Sequence, residues 1–242
     1  MSEKITPYKD KNKSKKEQVT EMFDTISENY DGLNRVISFG IDIKWRNKVV
    51  QLVKKSNPDK ILDVATGTGD LAINLSGTGA SEIIGLDISS GMLEIGKQKV
   101  TAKKLSSTIN MVQGDSENLN YPKSYFDAVT VAFGVRNFEN LEKGLSEIFR
   151  VLKPGGIFVI LETSIPTKTP YKQGYKLYST RILPLVGRLF SKDKSAYSYL
   201  SKSAAAFPYG EELNNILKKI GFIEVKDTPQ TFGVATIYTA TK

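Results

Sequence analysis

The segment Ile61-Leu-Asp-Val-Ala-Thr-Gly-Thr-Gly-Asp70 constrains this chain more than any other, because an apolar run there breaks into a turn carrying Gly67 and Gly69. A second apolar run starts near residue 82 and ends in Asp87. Runs that are apolar on both faces belong to buried strands of a parallel sheet, and the residues after the turn read as the start of a helix. Glycine lets backbone approach a ligand closely, since no Cβ stands in the way. Strand, glycine turn and helix N-terminus together predict a nucleotide-like cofactor at the turn.

Two cofactors suit this geometry, and charge separates them. Gly67-Thr-Gly-Asp-Leu-Ala72 satisfies the dinucleotide pattern G-x-G-x-x-G/A, with Asp87 spaced to hold ribose hydroxyls. Asp63 before the turn and Asp70 just inside it, however, place two carboxylates where a pyrophosphate needs positive or neutral surroundings. Acidic walls suit a cation. S-adenosylmethionine (SAM) carries a sulfonium and an ammonium and has no phosphate. Asp63, Gly67, Gly69 and Asp87 therefore read as a SAM site, with NAD binding or a plain connecting turn as the competing readings.

What else the site can do is limited by composition. The chain has no Cys and no His, which removes thiolate nucleophiles, Ser-His-Asp triads and nearly every zinc site, and no metal centre is expected. Proton transfer must fall to Asp, Glu, Tyr, Lys or water, a restriction that alkyl transfer tolerates because a thioether leaving group needs no acid. The 242 residues suit one α/β domain. No apolar run reaches the roughly 18 residues that span a bilayer, and the polar, lysine-rich stretch Met1 to Glu17 lacks a signal-peptide core, so a cytoplasmic protein is expected. The net charge of +8 is concentrated: residues 165–209 carry eight Lys and Arg against Asp193 alone, and residues 1–20 carry a net +3.

Val19, Met22, Phe23 and Ile26 have helical spacing, and Trp45, Val49, Leu52 and Val53 repeat it after Asp42, which reads as an N-cap. Strands are predicted near 60–65, 82–88, 109–113, 126–133 and 157–164, and helices near 70–76, 90–106, 141–152 and 210–220. Phe222–Thr228 and Val234–Thr241 read as a terminal antiparallel hairpin. The alternation predicts an α/β, Rossmann-like, mostly parallel seven-stranded sheet with helices on both faces. Ligands in such sheets sit at the carboxyl ends of strands, where Asp63 to Gly69, Asp87, Asp115-Ser116 and Ala132-Phe133 fall. Asp115 reads either as an acceptor for an adenine amino group or as a turn former after Gly114, and Asp87 as a ribose ligand or a cap before Ser89.

With these sites in place, the chain resembles the class I SAM-dependent methyltransferases. More narrowly it resembles the ubiquinone/menaquinone-biosynthesis C-methyltransferases. The stretches that carry the resemblance are Tyr30-Asp-Gly-Leu-Asn34, Ser38-Phe39-Gly40, Trp45-Arg46, Phe133-Gly-Val-Arg-Asn137, Arg150-Val-Leu-Lys-Pro-Gly-Gly156 through Leu161-Glu162, and Tyr199-Leu-Ser-Lys-Ser203 to Phe207-Pro208. They run from about residue 19 to the end; the first twenty residues show no clear match, and Ala65 replaces the first glycine of the broader motif. The resemblance implies that Thr68, Asp87, Asp115, Ser116 and, through backbone, Ala132 line the SAM site. It also implies that Arg136 and Asn137 are a catalytic pair on the substrate side, with Tyr30 and Asn34 as weaker candidates. A surface ion pair of Arg136 with Glu139 is the structural alternative.

The implied reaction is SAM-dependent C-methylation of a polyprenylated quinol, demethylmenaquinol to menaquinol, with a ubiquinone-pathway benzoquinol as the alternative acceptor. A phenolate is the reactive form of such a ring, and Arg136 is the candidate to stabilise it, with Asn137 positioning the hydroxyl or a water. Residues 1–56 are expected to form a helical substrate cap, and residues 165–209 a basic, aromatic insert. That insert, with the apolar run Ile182-Leu-Pro-Leu-Val186, suits peripheral contact with the inner face of an anionic membrane; a solvated charged face is the plainer reading. A homo-oligomer is compatible with the sequence, and no nucleic-acid partner is expected. RNA methylation and a non-catalytic SAM-binding fold remain competing functions.

Overall fold

Seven strands, β1 (Lys60–Val64), β2 (Glu82–Asp87), β3 (Ile109–Gln113), β4 (Phe126–Ala132), β5 (Leu152–Thr163), β6 (Ile223–Gln230) and β7 (Ala235–Thr241), form one sheet. Its order, in a computed structural model that describes residues 5–182 and 194–242, is β3-β2-β1-β4-β5-β7-β6. The first five strands pair in parallel, and β7 inserts antiparallel between β5 and β6. β1 is flanked on one side by β2, which leads out to β3, and on the other by β4, which leads out to β5. The order therefore reverses at β1 and β4, and the crevice above their carboxyl ends is where ligands bind in such sheets.

The residues that follow β1 and β4 are shaped by that crevice. Ala65 takes φ +52°, in the left-handed region that glycine enters freely. A Cβ on Gly134 would lie 2.5 Å from the Cβ of Ala65, so the turns after the two strands touch only because residue 134 has no side chain.

Helices cover both faces. The helices α2 (Ile41–Lys54), α3 (Asp70–Leu75) and α4 (Ser90–Ala102) bury Val49, Val53, Leu71, Leu75 and Leu93 against one face. On the other, α5 (Leu141–Val151) and α8 (Glu211–Ile220) bury Leu145, Ile148, Leu213 and Leu217. Met22 and Ile26 of α1 (Lys15–Ser38) join Met92 with Ala196 and Tyr199 of α7 (Lys194–Ala206) in a third cluster at the start of α4. α6 (Tyr171–Leu177) supplies the rest of the described insert. Residues 183–193, with Arg188, Phe190, Lys192 and most of the apolar run from Ile182, lie outside the described residues, as do the side chains of Lys194 and Tyr197.

Two boundaries differ from expectation. Asp42 does not cap α2: Phe39 and Gly40 are both left-handed, so the chain reverses early and the helix begins at Ile41 with Gly40 as N-cap. The buried Asp42 carboxylate is instead held by Arg35, Arg46 and Ser38. β5 starts at Leu152 rather than near 157, because Leu152 already pairs with Phe126 and the irregularity before Ile157 is absorbed as a bulge around Gly155, at φ +76°.

Candidate functional site: two adjoining cavities

The glycine turn is tied to the next strand by Asp87. Gly67, at φ +58°, donates its N–H to Asp87 Oδ2 at 2.7 Å, while Asp87 Oδ1 accepts from Ser89 N–H at 2.9 Å. Burial pushes the Asp87 carboxyl upward, against the pull of those N–H groups. Each oxygen keeps a second lone pair, and Asp87 lines the cleft over the turn. It thus holds backbone and is placed to meet a ligand.

The acidic wall expected from Asp63 and Asp70 is a correction. Asp63 lies inside β1, where alternate side chains leave the sheet's faces rather than its end, and it is 1% exposed. Its two oxygens accept from Thr66 and Thr130 Oγ1, each at 2.6 Å, which pins the turn to β4. Asp70 is taken up by Arg35 Nη2 at 2.6 Å and by Lys99. Thr68 and Gly69 line neither cavity described below: Thr68 donates to Asp31 Oδ1 at 2.6 Å, and Gly69 packs on Met111. The cleft's acidity comes from Asp87, Asp115, Glu117 and Glu139.

Burial pushes the Asp63 carboxyl up to about 6. A raised folded-state value means that the native protein keeps a proton the unfolded chain has lost, so this group's contribution to stability falls as pH rises from about 4 to 6. The fall is on the order of 3 kcal/mol. Asp63→Asn should remove it: the stability difference between wild type and variant, from urea melts, should drift against the wild type across that window and level off above it. A difference independent of pH would mean that Asp63 titrates normally.

The cleft over the turn is lined by Gly67, Asp87, Asp115, Ser116, Ala132 and Asn137, among others. It brings together on one wall residues from the ends of β1, β2, β3 and β4. Its volume is about 70 Å³, below the roughly 300–1,000 Å³ of small-molecule sites, because α1 lies across it. Lys16 Nζ sits 2.7 Å from Asp115 Oδ2, and Lys15 Nζ donates to Arg136 O at 3.0 Å and Phe138 O at 2.7 Å. Asp115 Oδ1 also accepts from Glu117 N–H, so the turn-forming reading of this residue describes half of its carboxylate. The donor set fits SAM: a left-handed glycine turn, carboxylates for hydroxyl and amino groups, and apolar Leu86, Ile88 and Phe138 for a purine.

Beside this cleft lies a second cavity of about 510 Å³, walled by α1, α2, α6 and α7 and mostly apolar. Tyr30 and Phe133 line both. Arg136 lines the second cavity and Asn137 the first, so the pair expected on one side is split by the 3-10 turn that carries it, Val135–Asn137. Asn137 Oδ1 accepts from Tyr199 Oη at 3.2 Å, and burial pushes that hydroxyl up to about 12. Arg136 is not on the surface and does not pair with Glu139. Its Nη1 donates to Phe133 O at 2.7 Å and to Glu162 Oε1 at 2.5 Å, with the two side chains 8% and 1% exposed. Phe133 takes φ +58° at the end of β4, which turns its carbonyl toward Arg136, and its ring meets Trp45 and the Arg46 guanidinium. Tyr30 lies over the glycine turn, with burial raising its hydroxyl and the Arg136 charge drawing it back.

Several of these residues escaped the sequence reading. Lys16 falls in the stretch with no recognisable motif, and its partner is 99 positions away. Glu162 carried a usable signal, a carboxylate closing the apolar run of β5 at a strand's carboxyl end, the edge where ligands bind. Arg35 and Lys99 meet Asp70 only through tertiary packing.

Comparison with known proteins adds a family and a fold. The profile of the ubiE/COQ5 methyltransferase family matches residues 11–242, which includes part of the N-terminal segment where no motif was evident. A demethylmenaquinone methyltransferase of Bacteroides fragilis is 48% identical over 241 residues, spanning 99% of this chain and 98% of that protein. Another, of Porphyromonas gingivalis, is 44% identical over 242 residues, with 99% and 98% covered. A solved SAM-dependent methyltransferase of Thermotoga maritima superposes with a TM-score of 0.64 at 18% identity over 92% of this chain and 99% of that one, a likeness of fold.

Proposed function

The chain belongs to the ubiE/COQ5 methyltransferase family, and from that premise we propose that it transfers a methyl group from SAM to a ring carbon of demethylmenaquinol, yielding menaquinol. The first relatives it matches, over nearly their whole length, carry the demethylmenaquinone name, which favours a naphthoquinol over a benzoquinol acceptor. One observation carries the site assignment: two cavities share Tyr30 and Phe133 as a common wall, one over a glycine turn with carboxylates, the other large, apolar and floored by a buried arginine.

SAM, when bound, supplies an electrophilic methyl on a sulfonium. Asp87 and Asp115 would hold its ribose and adenine ends, Gly67 its approach to backbone, and Asn137 and Ala132 the wall toward the acceptor. Arg136 would stabilise a developing phenolate, which a ring hydroxyl of pKa about 10 does not form unaided at neutral pH. The shared wall would align carbon and methyl at the 3–3.5 Å or so that transfer requires. α1 and α2 act as the cap and the residues of α6 and α7 as the far wall around the quinol head.

The mouth of the second cavity supports docking on an anionic lipid surface. Phe39, 73% exposed at the corner between α1 and α2, faces Tyr178 at 6.2 Å, with Val36, Ile43 and Leu177 also exposed nearby in sequence. Lys172, Lys176 and Lys202 line the same cavity, and no helix among the described residues is long and apolar enough to cross a membrane. Each Lys or Arg near such a surface contributes about 1 kcal/mol, screened over a Debye length of about 8 Å at physiological salt.

The test is transfer of labelled methyl from SAM to demethylmenaquinol carried in vesicles. Activity and vesicle binding should be higher with phosphatidylglycerol than with phosphatidylcholine alone and should fall as salt rises. Neutralising Lys168, Lys172 and Lys176 together should weaken binding and leave SAM affinity unchanged. Indifference to lipid charge and salt would remove the membrane contact. Methylation of structured RNA with demethylmenaquinol untouched would overturn the function.

A further inference from the structure

The Arg136–Glu162 ion pair is incompletely satisfied in a specific way. Glu162 Oε1 accepts from Arg136 Nη1 at 2.5 Å, from Thr163 N–H at 2.8 Å and from Thr163 Oγ1 at 3.1 Å. Glu162 Oε2, fully buried, has no partner, and neither has Arg136 Nε. Buried polar atoms are nearly always paired, and each exception calls for an explanation. Here one ion pair leaves one acceptor and one donor vacant together. Arg136, paired with Glu162, and Thr163, next to it in sequence, both line the apolar cavity, and Glu162 adjoins them without lining it. A hydroxyl group is complementary to such a pair, since it donates one hydrogen bond and accepts another.

We infer that Glu162 is the general base of the reaction, its Oε2 accepting the proton of a quinol hydroxyl whose oxygen is held by Arg136 Nε. The inference rests on the quinol reading above. In the step, the hydroxyl O–H bond breaks and its proton goes to Glu162 Oε2. The electron pair left on oxygen is delivered through the ring, whose carbon forms a bond to the methyl as the methyl–sulfur bond breaks toward sulfur. The methylated ring carbon then loses its own proton to water while the ring oxygen regains the proton from Glu162. One proton is released for each methyl transferred, and the base is restored. The transfer moves a negative charge from carboxylate to phenolate beside the same guanidinium, so no uncompensated charge is created in a buried place, which would be costly. Asp42, which lines the same cavity, is held by Arg35, Arg46 and Ser38, whereas Glu162 Oε2 has no partner.

Glu162→Gln keeps the side chain's volume and an oxygen for Arg136 while removing the base. Assayed without oxygen on a short-chain demethylmenaquinol, it should lose about 10²- to 10⁴-fold in kcat at pH 7, with SAM affinity by calorimetry unchanged. Its rate should then climb about tenfold per pH unit from 7 to 9, as solvent ionises a hydroxyl of pKa about 10, while wild type shows no such climb. Glu162→Asp keeps the charge on Arg136 but withdraws the oxygen by one methylene, and should show a smaller loss with the same climb. If Glu162→Gln does not fold, the aspartate variant carries the test. A loss of the same factor at every pH, or normal turnover in the aspartate variant, would make Glu162 a structural partner of Arg136 and overturn the inference. Wild-type protein inactive on the quinol would instead overturn the function, and this inference with it.

Discussion

Replacing Arg136 with alanine should lower turnover by about 10³-fold, the cost of removing a charged donor from a developing oxyanion, while SAM affinity stays within a few-fold. The separation follows from placement: Arg136 lines the apolar cavity and not the cleft over the glycine turn. The same change should destabilise the fold by about 3–5 kcal/mol, because it strips the partner from a buried carboxylate. That figure applies without discount, since the Glu162 side chain is 1% exposed. Arg136→Lys separates the two effects. A lysine keeps a charge for Glu162 but lacks the guanidinium whose Nη1 reaches both Phe133 O and Glu162 Oε1 and whose Nε is left unpaired. It should therefore recover much of the melting temperature and little of the turnover. Wild-type turnover with weakened SAM binding would move the residue to the cofactor side.

Asp87→Ala should weaken SAM binding by roughly 1–3 kcal/mol, the range for losing charge-assisted hydrogen bonds to a ligand. The structure adds a second consequence. Removing the carboxylate leaves Gly67 N–H and Ser89 N–H without their acceptor, so the turn after β1 and the start of α4 lose their common tie. Stability should fall by a further one to three kcal/mol or so for each donor left unpaired. Added SAM should raise the melting temperature of wild type and much less that of the variant, since stabilisation by a ligand scales with its concentration over Kd. In kinetics the KM for SAM should rise while kcat at saturation changes little. A variant with normal SAM affinity and depressed kcat would remove Asp87 from the cofactor site.

Both experiments probe residues that were visible in the chain before any fold was known, and the reason is periodicity. Apolar runs of strand length separated by helical repeats specify a parallel sheet, and the carboxyl ends of its strands are where ligands sit. Asp87, Asp115, Ser116 and Ala132 could be placed on one edge because each closes such a run, and the cleft does collect them. The terminal hairpin was legible for the same reason, as two β-rich runs joined by a short turn.

Direction and partnership were not legible. Asp63 and Asp70 read as an acidic wall because a sequence gives the presence of a charge and not what neutralises it; packing gives Asp63 to two threonines and Asp70 to Arg35 and Lys99. Arg136 and Asn137 are adjacent in the chain, yet a tight turn sends them into different cavities. Lys16 meets Asp115 only because α1 folds across the sheet edge. The sequence by itself determined the sheet, the edge that gathers the candidate site and the family of chemistry, since these depend on residue type and spacing along the chain. Only the tertiary structure decided which carboxylates remain open to a ligand and which atoms of the Arg136–Glu162 pair are left unpaired, because contacts between distant segments depend on how the helices lie across the sheet.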